Sequence, residues 1–336
     1  MFKVLITGGA GFIGTNLVEE LLPLYQVIVV DNLSAGKRSN LLAGVNFYEA
    51  DILEPDFEKI VAAELPDFIV HLAAQVNVAG SLQNPLFDLQ LNITGTLIVI
   101  EAARKNRVKK VIYPSSAAVY GNETQFKEEK AYEKTLNIYG YSKLLFDDYI
   151  RYHLKHRKIT SQVAGFRYFN VYGPRECHKG KMASVAYHHY LQYAKDEKVK
   201  LFGEHAGYTA GTHTRDFIYV GDIIDVKLKF WQNKLASGIY NLGTGKAEPF
   251  NNIAVSMVNE YRKDQGKSTV NLEELVKLNI LEYINFPQSL HGKYQSYTQA
   301  NLDNLRTVVQ HDFLNVAHGV EKYYTWLKQN YVRFAE

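Results

Sequence analysis

The chain has 336 residues, 46% of them apolar and 22% charged, with 38 Lys and Arg against 35 Asp and Glu for a net charge of +3. That apolar share suits a packed core and excludes a disordered or fibrous chain, and so small a net charge speaks against a nucleic-acid surface built on clustered cations. Cys177 stands alone, no apolar stretch reaches the roughly 18 residues of a membrane span, and Met1 leads into a strand rather than a signal-like leader, so a cytoplasmic α/β protein with no membrane or nucleic-acid partner is expected.

Short β-branched runs alternate with helix-length segments through the first half. Lys3–Thr7, Gln26–Asp31, Val45–Glu49, Phe68–His71 and Lys110–Tyr113 read as strands. They are continuously apolar, as strands covered on both faces should be. Helical patterns cover Gly14–Leu22 and Leu86–Asn106, and a third starts near Tyr139 and is followed by a strand at Ser161–Phe166. Strict alternation predicts βαβ units in a Rossmann-type, doubly wound parallel sheet. After Tyr172-Gly-Pro174 the texture changes. Helical pieces at Met182–Lys195, Asp222–Asn233, Asn251–Arg262 and Val316–Gln329 are separated by short strands at Val199–Phe202 and Ile239–Leu242. Glu204–Thr214 reads as a mobile loop, and Asp264–Leu278 is polar, charged and without an assigned task. The expected organisation is a dinucleotide-binding domain over residues 1–172 and a smaller α/β substrate lobe over 173–336, with some segments returning to the main domain.

Thr7-Gly8-Gly9-Ala10-Gly11-Phe12-Ile13-Gly14 follows the first strand and opens the first helix. Glycines at 9, 11 and 14 fit G-x-G-x-x-G, in which a tight turn lets backbone approach a pyrophosphate at a helix N-terminus. Asp31 ends the second strand 17 residues past Gly14, where a carboxylate can accept from an adenosine ribose. A nicotinamide or related dinucleotide is the expected cofactor. Asp31 favours NAD, whereas Lys37 and Arg38 offer cations to a 2′-phosphate; Asp51 and Ile52 border the place of the adenine.

Tyr139 and Lys143 lie four apart at the start of a helix and so share a face. An ammonium beside a phenol favours phenolate and makes a base for a sugar hydroxyl. Ser115 and Ser116 end the fifth parallel strand, at the edge where α/β ligands bind, and a hydroxyl there can hydrogen-bond the reacting oxygen. Cys177 and His178 lack the spaced partners of metal or nucleophilic chemistry, so no metal site is expected. The basic stretch Arg151–Lys158 reads as a solvated helix face.

These residues resemble the extended short-chain dehydrogenase/reductase superfamily over essentially the whole chain. More narrowly, Tyr132–Tyr149, Gly165–His188, Arg215–Asp222 and Gly292–Ala300 resemble the ADP-L-glycero-D-manno-heptose 6-epimerases. The resemblance implies a self-contained redox epimerisation at C6 of an ADP-heptose, through a 6-keto sugar, within lipopolysaccharide biosynthesis. It implies tightly bound NADP, with NAD as the alternative, one per subunit of a homo-oligomer. Tyr139 would be one acid/base, assisted by Ser116 and Lys143, and Lys179 the second. Gly8, Gly11, Phe12, Ile13, Gly14, Asp31, Asn32, Lys37, Arg38, Asp51, Ile52, Leu72, Ala73, Ala74, Asn92 and Val171 would join Tyr139 and Lys143 around the cofactor. Ser116, Asn170, Lys181, His188, Phe202, Arg215 and Tyr294 would hold the nucleotide sugar.

Delivering hydride to either face of a ketone calls for a proton partner on each side, which is the physical case for a second base. Lys179 with Arg175 nearby would be neutral enough to serve; the plainer reading makes it a cation for the diphosphate. Arg215 suits a diphosphate through its planar fork. The chain also departs from the heptose pattern. His71–Ser81 looks more like UDP-hexose 4-epimerases, Lys181 replaces a usual serine, and Glu204–Thr214 and Asp264–Leu278 look inserted. A UDP-hexose 4-epimerase is therefore the alternative, and a non-catalytic dinucleotide sensor a more distant one. Ala117 and Ala118 stand where a 4,6-dehydratase needs an acidic pair.

Overall fold

The computed structural model describes residues 1–156, 159, 161–232, 236–288 and 294–335. Its strands are β1 (Lys3–Thr7), β2 (Gln26–Asp31), β3 (Asn46–Glu49), β4 (Phe68–His71), β5 (Lys110–Ser116), β6 (Gln162–Tyr168), β7 (Asn170–Tyr172), β8 (Val199–Phe202), β9 (Thr214–Tyr219), β10 (Gly238–Leu242), β11 (Ala247–Pro249) and β12 (Leu281–Ile284). Its α-helices are α1 (Phe12–Leu21), α2 (Pro55–Glu64), α3 (Val78–Gln83), α4 (Pro85–Leu89), α5 (Thr96–Lys105), α6 (Ile138–Lys155), α7 (Val185–Asp196), α8 (Val220–Gln232), α9 (Phe250–Asp264), α10 (Leu272–Lys277), α11 (Asp303–Arg306) and α12 (Val316–Ala335). The expected Asn233 end of α8 and the residues Arg157, Lys158, Gly292 and Lys293 lie outside the described residues. The chain forms two compact units. The first comprises 1–168, 224–242 and 302–311, and the second 169–223, 243–301 and 312–336.

In the first unit seven parallel strands run in the order β10-β6-β5-β4-β1-β2-β3. The order reverses at β1, so the glycine turn after β1 lies at the topological switch point where open α/β sheets bind ligands. Leu5, Ile28, Ile69, Val111 and Val163, one from each of five strands, share a core with Val99, Ile100, Ala102 and Ala103 of α5. Pro85–Lys105 is one helical run of 21 residues, long and apolar enough by length and composition to cross a membrane. This corrects the expectation that no stretch reaches that length. Its apolar residues cover the sheet, as in a buried crossover helix. Residues Gln90–Gly95 within it form a π turn.

Two small sheets organise the second unit. One has the order β11-β9-β7, antiparallel at β11 and parallel at β7. The other pairs β8 with β12 in parallel. Around the first, Tyr172, Tyr187, Phe217, Met257, Val320 and Tyr323 build a core rich in rings. The segment without an assigned task supplies α10. Asn271 and Glu274 close a reciprocal capping box at its start, and Leu275 enters a core with Val199 and Leu201. Polar residues there cap and solvate a short helix rather than line a site. Strand β7 begins at Asn170, before the expected domain boundary at 172, and places Asn170–Tyr172 in the second unit.

Candidate active site

The glycine turn is built from its backbone. Gly8 has φ +70°, and a Cβ there would stand 2.6 Å from the Ala73 nitrogen, so the turn can press against the chain leaving β4 only as glycine. Gly11 caps α1 in an extended conformation without a side-chain cap, Phe12, Ile13 and Gly14 form the first helical turn, and Thr15 Oγ1 donates to the Gly11 carbonyl at 2.8 Å. Asp31 accepts from the Ala10 N–H at 2.9 Å and the Leu33 N–H at 2.8 Å. Both of its oxygens thus clamp backbone, and burial pushes its carboxyl up. Asn32 donates to Asp51 at 2.8 Å. Ile52 places its side chain in the core. Lys37 is half-buried. Arg38 is exposed, pairs with Glu49 and lies 5.1 Å from the Phe47 ring centre.

Leu72, Ala73 and Ala74 follow β4. Thr7 Oγ1 accepts from the Leu72 and Ala73 N–H groups at 3.2 and 3.3 Å and lies 2.7 Å from His71 Nδ1. His71 Nε2 lies 3.0 Å from Thr96 Oγ1, whose proton goes to the Asn92 carbonyl at 2.7 Å. This order of donors requires His71 to be neutral with its proton on Nε2, and burial drives its value down to about 3. Asn92, on the π turn, accepts from the Gln75 N–H and donates to the Gln75 carbonyl, both at 3.0 Å, and donates to Ser142 Oγ at 3.1 Å. It therefore ties the loop after β4 to the helix of the Tyr–Lys pair.

Asn137 caps α6 by accepting from the Gly140 N–H at 2.8 Å. A Cβ at Gly140 would stand 2.6 Å from the Ala118 carbonyl, so glycine lets the helix start close against the end of β5. Ser116 hydrogen-bonds the Tyr139 hydroxyl; burial raises the phenol, and this bond lowers it. The Lys143 Nζ lies 5.9 Å from the Tyr139 ring centre. Burial brings Lys143 down to about 8, against the opposing charges of Asp88 and Asp147. Ser116, Tyr139 and Lys143 are thus brought together.

Ser115 is not with them. It donates to Asp147 at 2.9 Å, as do Tyr113 and Arg167 Nε, both also at 2.9 Å. Arg167 and Arg151 both pair with Glu133. Arg151, expected on a solvated face, is instead half-buried among carboxylates, because a planar fork at that helical position meets Glu133.

In the second unit Arg215 is buried. Its guanidinium lies 4.7 Å from the Tyr294 ring centre and 5.6 Å from that of Phe250, and burial lowers its value. Phe202 lies 5.3 Å from Phe286, on which His205 stacks at 3.7 Å and 7°. Tyr208 stacks on His213 at 4.9 Å. The segment read as a mobile loop is therefore ring-packed, and its Gly211 N–H donates to the Phe202 carbonyl at 2.9 Å. Asn170 is exposed and accepts from Thr298 at 3.4 Å. Val171 and His188 are half-buried and Lys181 is exposed. Lys179, on the 3₁₀ turn Cys177–Met182, lies 3.4 Å from buried Glu176, which also accepts from the Ser184 N–H at 2.7 Å. The Lys179 side chain is therefore placed at the Glu176 carboxylate.

The family model of the NAD dependent epimerase/dehydratase family matches residues 4–243. The chain belongs to this family. It is a nicotinamide-dependent epimerase-type enzyme of the extended short-chain dehydrogenase/reductase superfamily, and the glycine cradle at the switch point suits such a dinucleotide. An ADP-L-glycero-D-manno-heptose-6-epimerase from Helicobacter pylori is 30% identical with a TM-score of 0.79, over 96% of this chain and 95% of that one. A UDP-N-acetylglucosamine 4-epimerase from Methanobrevibacter ruminantium is 26% identical with a TM-score of 0.80, over 98% and 99%. A Thermus thermophilus UDP-glucose 4-epimerase in complex with NAD is 26% identical with a TM-score of 0.79, over 97% and 99%.

Proposed function

We propose that this family member interconverts ADP-D-glycero-D-manno-heptose and its L-glycero isomer at C6, with NADP retained through the turnover. The reading is carried by Lys179, which is ion-paired with Glu176 on its 3₁₀ turn and is assigned here the role of second proton carrier besides Tyr139. The 30% identical heptose epimerase supports it. When bound, the nicotinamide accepts and returns the hydride. Tyr139, as phenolate beside Lys143, removes the C6 hydroxyl proton, and Ser116 hydrogen-bonds the same oxygen. Lys179, as ammonium, protonates the 6-keto oxygen when the sugar presents its other face. One turnover leaves Tyr139 protonated and Lys179 neutral, and a proton exchanged with solvent restores both. Arg215 holds the diphosphate.

NADP is favoured because Asp31 is committed to backbone, while exposed Arg38 is held by a surface carboxylate and the face of Phe47. Such pairs are weak, and a phosphate dianion displaces them. We also propose a homo-oligomer, for which exposed Leu82, Leu86, Phe87, Tyr141 and Tyr152 on α3, α4 and α6 offer an apolar face. The alternative, a UDP-hexose 4-epimerase, draws on the UDP-sugar epimerases at 26% identity.

The test is to incubate the purified enzyme with ADP-heptose, UDP-glucose and UDP-N-acetylglucosamine without added reductant and follow stereoisomers by NMR. Epimerisation of ADP-heptose alone is expected. Turnover of a UDP-hexose alone would overturn the reading, and stoichiometric consumption of added NADPH would reveal a reductase.

A further inference from the structure

Among the described residues Asp88 is the one wholly buried carboxylate with neither oxygen in a hydrogen bond. It sits on α4, which starts at Pro85, is capped by Asn84 and packs against α6. Burying an ionised carboxylate without donors is unfavourable unless a counter-charge stands nearby. The surroundings offer one. Lys143 on α6 feels the Asp88 charge, and so does Tyr139. Neither α3 nor the π turn carries a titratable side chain, and His71 at the end of β4 is neutral. Asp147, the other acid facing Lys143, is already committed to Tyr113, Ser115 and Arg167. The proton steps above make no use of Asp88.

We propose that Asp88 is a positioning residue for the acid/base pair, which holds Lys143 as an ammonium in its dry site and sets the pH window in which Tyr139 exchanges protons with the sugar. This rests on the reading of Tyr139 and Lys143 as that pair. A fixed negative charge raises the proton affinity of every neighbour, so its removal lowers the midpoints of Lys143 and Tyr139 together. Burial already drives Lys143 down to about 8. Without Asp88 it would lose its proton across neutral pH, and Tyr139 its cation. A carboxylate with a merely structural task would change the height of a pH–rate profile and leave its position alone.

The experiment titrates the Lys143 ammonium directly by NMR, in the holoenzyme labelled with nitrogen-15 lysine and with the resonance assigned by Lys143→Met. In Asp88→Asn the midpoint should fall by about 1 pH unit or more, and in Asp88→Glu it should stay near that of the wild type. The pH–rate profile of whichever nucleotide sugar is turned over should move the same way on both limbs. An unmoved Lys143 midpoint in Asp88→Asn overturns the proposal. The NMR arm needs no substrate, so an error in the sugar assignment does not imitate that result. Should Asp88→Asn not fold, Asp88→Ser decides in the same way: the Lys143 midpoint should fall there as well, and an unmoved midpoint refutes the coupling.

Discussion

In the first unit the side chains of the site are pinned by hydrogen bonds, whereas in the second they lean on rings. Asn92 makes three such bonds and Asp147 another three, each to a named partner. Arg215, His213 and Phe202 instead sit among Tyr294, Tyr208 and Phe286 at 4.7 to 5.3 Å between group centres. Proton transfer needs donor and acceptor held to within about 0.5 Å of hydrogen-bond distance, which directional bonds supply. Ring contacts, at roughly 0.5–1.5 kcal/mol beyond burial, hold shape with softer geometry and suit recognition. The contrast agrees with the proposed division, in which the first unit would carry the chemistry and the second the nucleotide sugar. Arg215 also donates to the Thr214 carbonyl at 2.9 Å, and Lys179, tied to Glu176 by a directed ion pair, is the proposed acid/base that falls outside the contrast.

Lys179 is therefore where the contrast is most easily broken. Tyr139→Phe and Lys179→Met should each lower kcat by at least about 10²-fold, the scale of a lost acid/base, while bound cofactor persists in the denatured supernatant. Equal losses would place proton transfer in both units. Near wild-type kcat in Lys179→Met would return all chemistry to the first unit and favour the hexose 4-epimerase.

Lys227 breaks the rule of the first unit from the other side. It is a buried amine with no hydrogen bond, its Nζ lies 5.2 Å from the Tyr168 ring centre, and burial brings it down to about 7. The unfolded chain binds that proton up to its ordinary 10.5. The cost to the fold is therefore absent above that pH, grows as pH falls towards 7 and is constant below. Lys227→Met should stabilise the protein by on the order of 4 kcal/mol at pH 7, and by almost nothing at pH 11. Denaturant melts at the two values check it; equal gains would refute the linkage.

The cofactor end offers smaller effects. Lys37→Ala with Arg38→Ala should weaken NADP binding by roughly 1–3 kcal/mol and leave NAD nearly unchanged, as calorimetry would show. Equal losses for both cofactors would mean that these side chains do not meet a 2′-phosphate. Glu49→Gln, which frees Arg38 from a surface pair, should tighten NADP by no more than about 1 kcal/mol. Weaker binding would identify Glu49 as the orienting group.

Much of the first unit is legible in the sequence because its signals are local. Continuous apolar strands, a glycine turn and a Tyr–Lys spacing each occupy one short segment. Strand β10 is harder: its partner β6 lies some seventy residues earlier, so no local pattern announces that the chain returns to the first sheet. Asp88 is illegible for a different reason. In Asn84-Pro85-Leu86-Phe87-Asp88 an acid in the first helical turn reads as an ordinary cap-side charge, and only packing against α6 removes it from water. The rings of residues 202–213 carry Gly and Thr between them, which reads as mobility until Phe286 and Tyr294 are brought alongside. The capping box at Asn271 and Glu274 was there to be read as a helix start.

The π turn at Gln90–Gly95 acts as a phase shifter within the run from Pro85 to Lys105. One residue more than an α-turn advances everything beyond it by about 100° around the axis. Upstream of the shift the helix presents Asp88 to the Tyr–Lys pair, and downstream it presents Val99, Ala102 and Ala103 to the sheet core. A regular helix of this sequence would have to misaim one of these sets. Deleting Ile93 should therefore act like a frameshift in three dimensions. The apolar stripe, with more to lose, would keep its place, and the upstream turns would rotate until Asp88 and Asn92 no longer addressed the groups they hold.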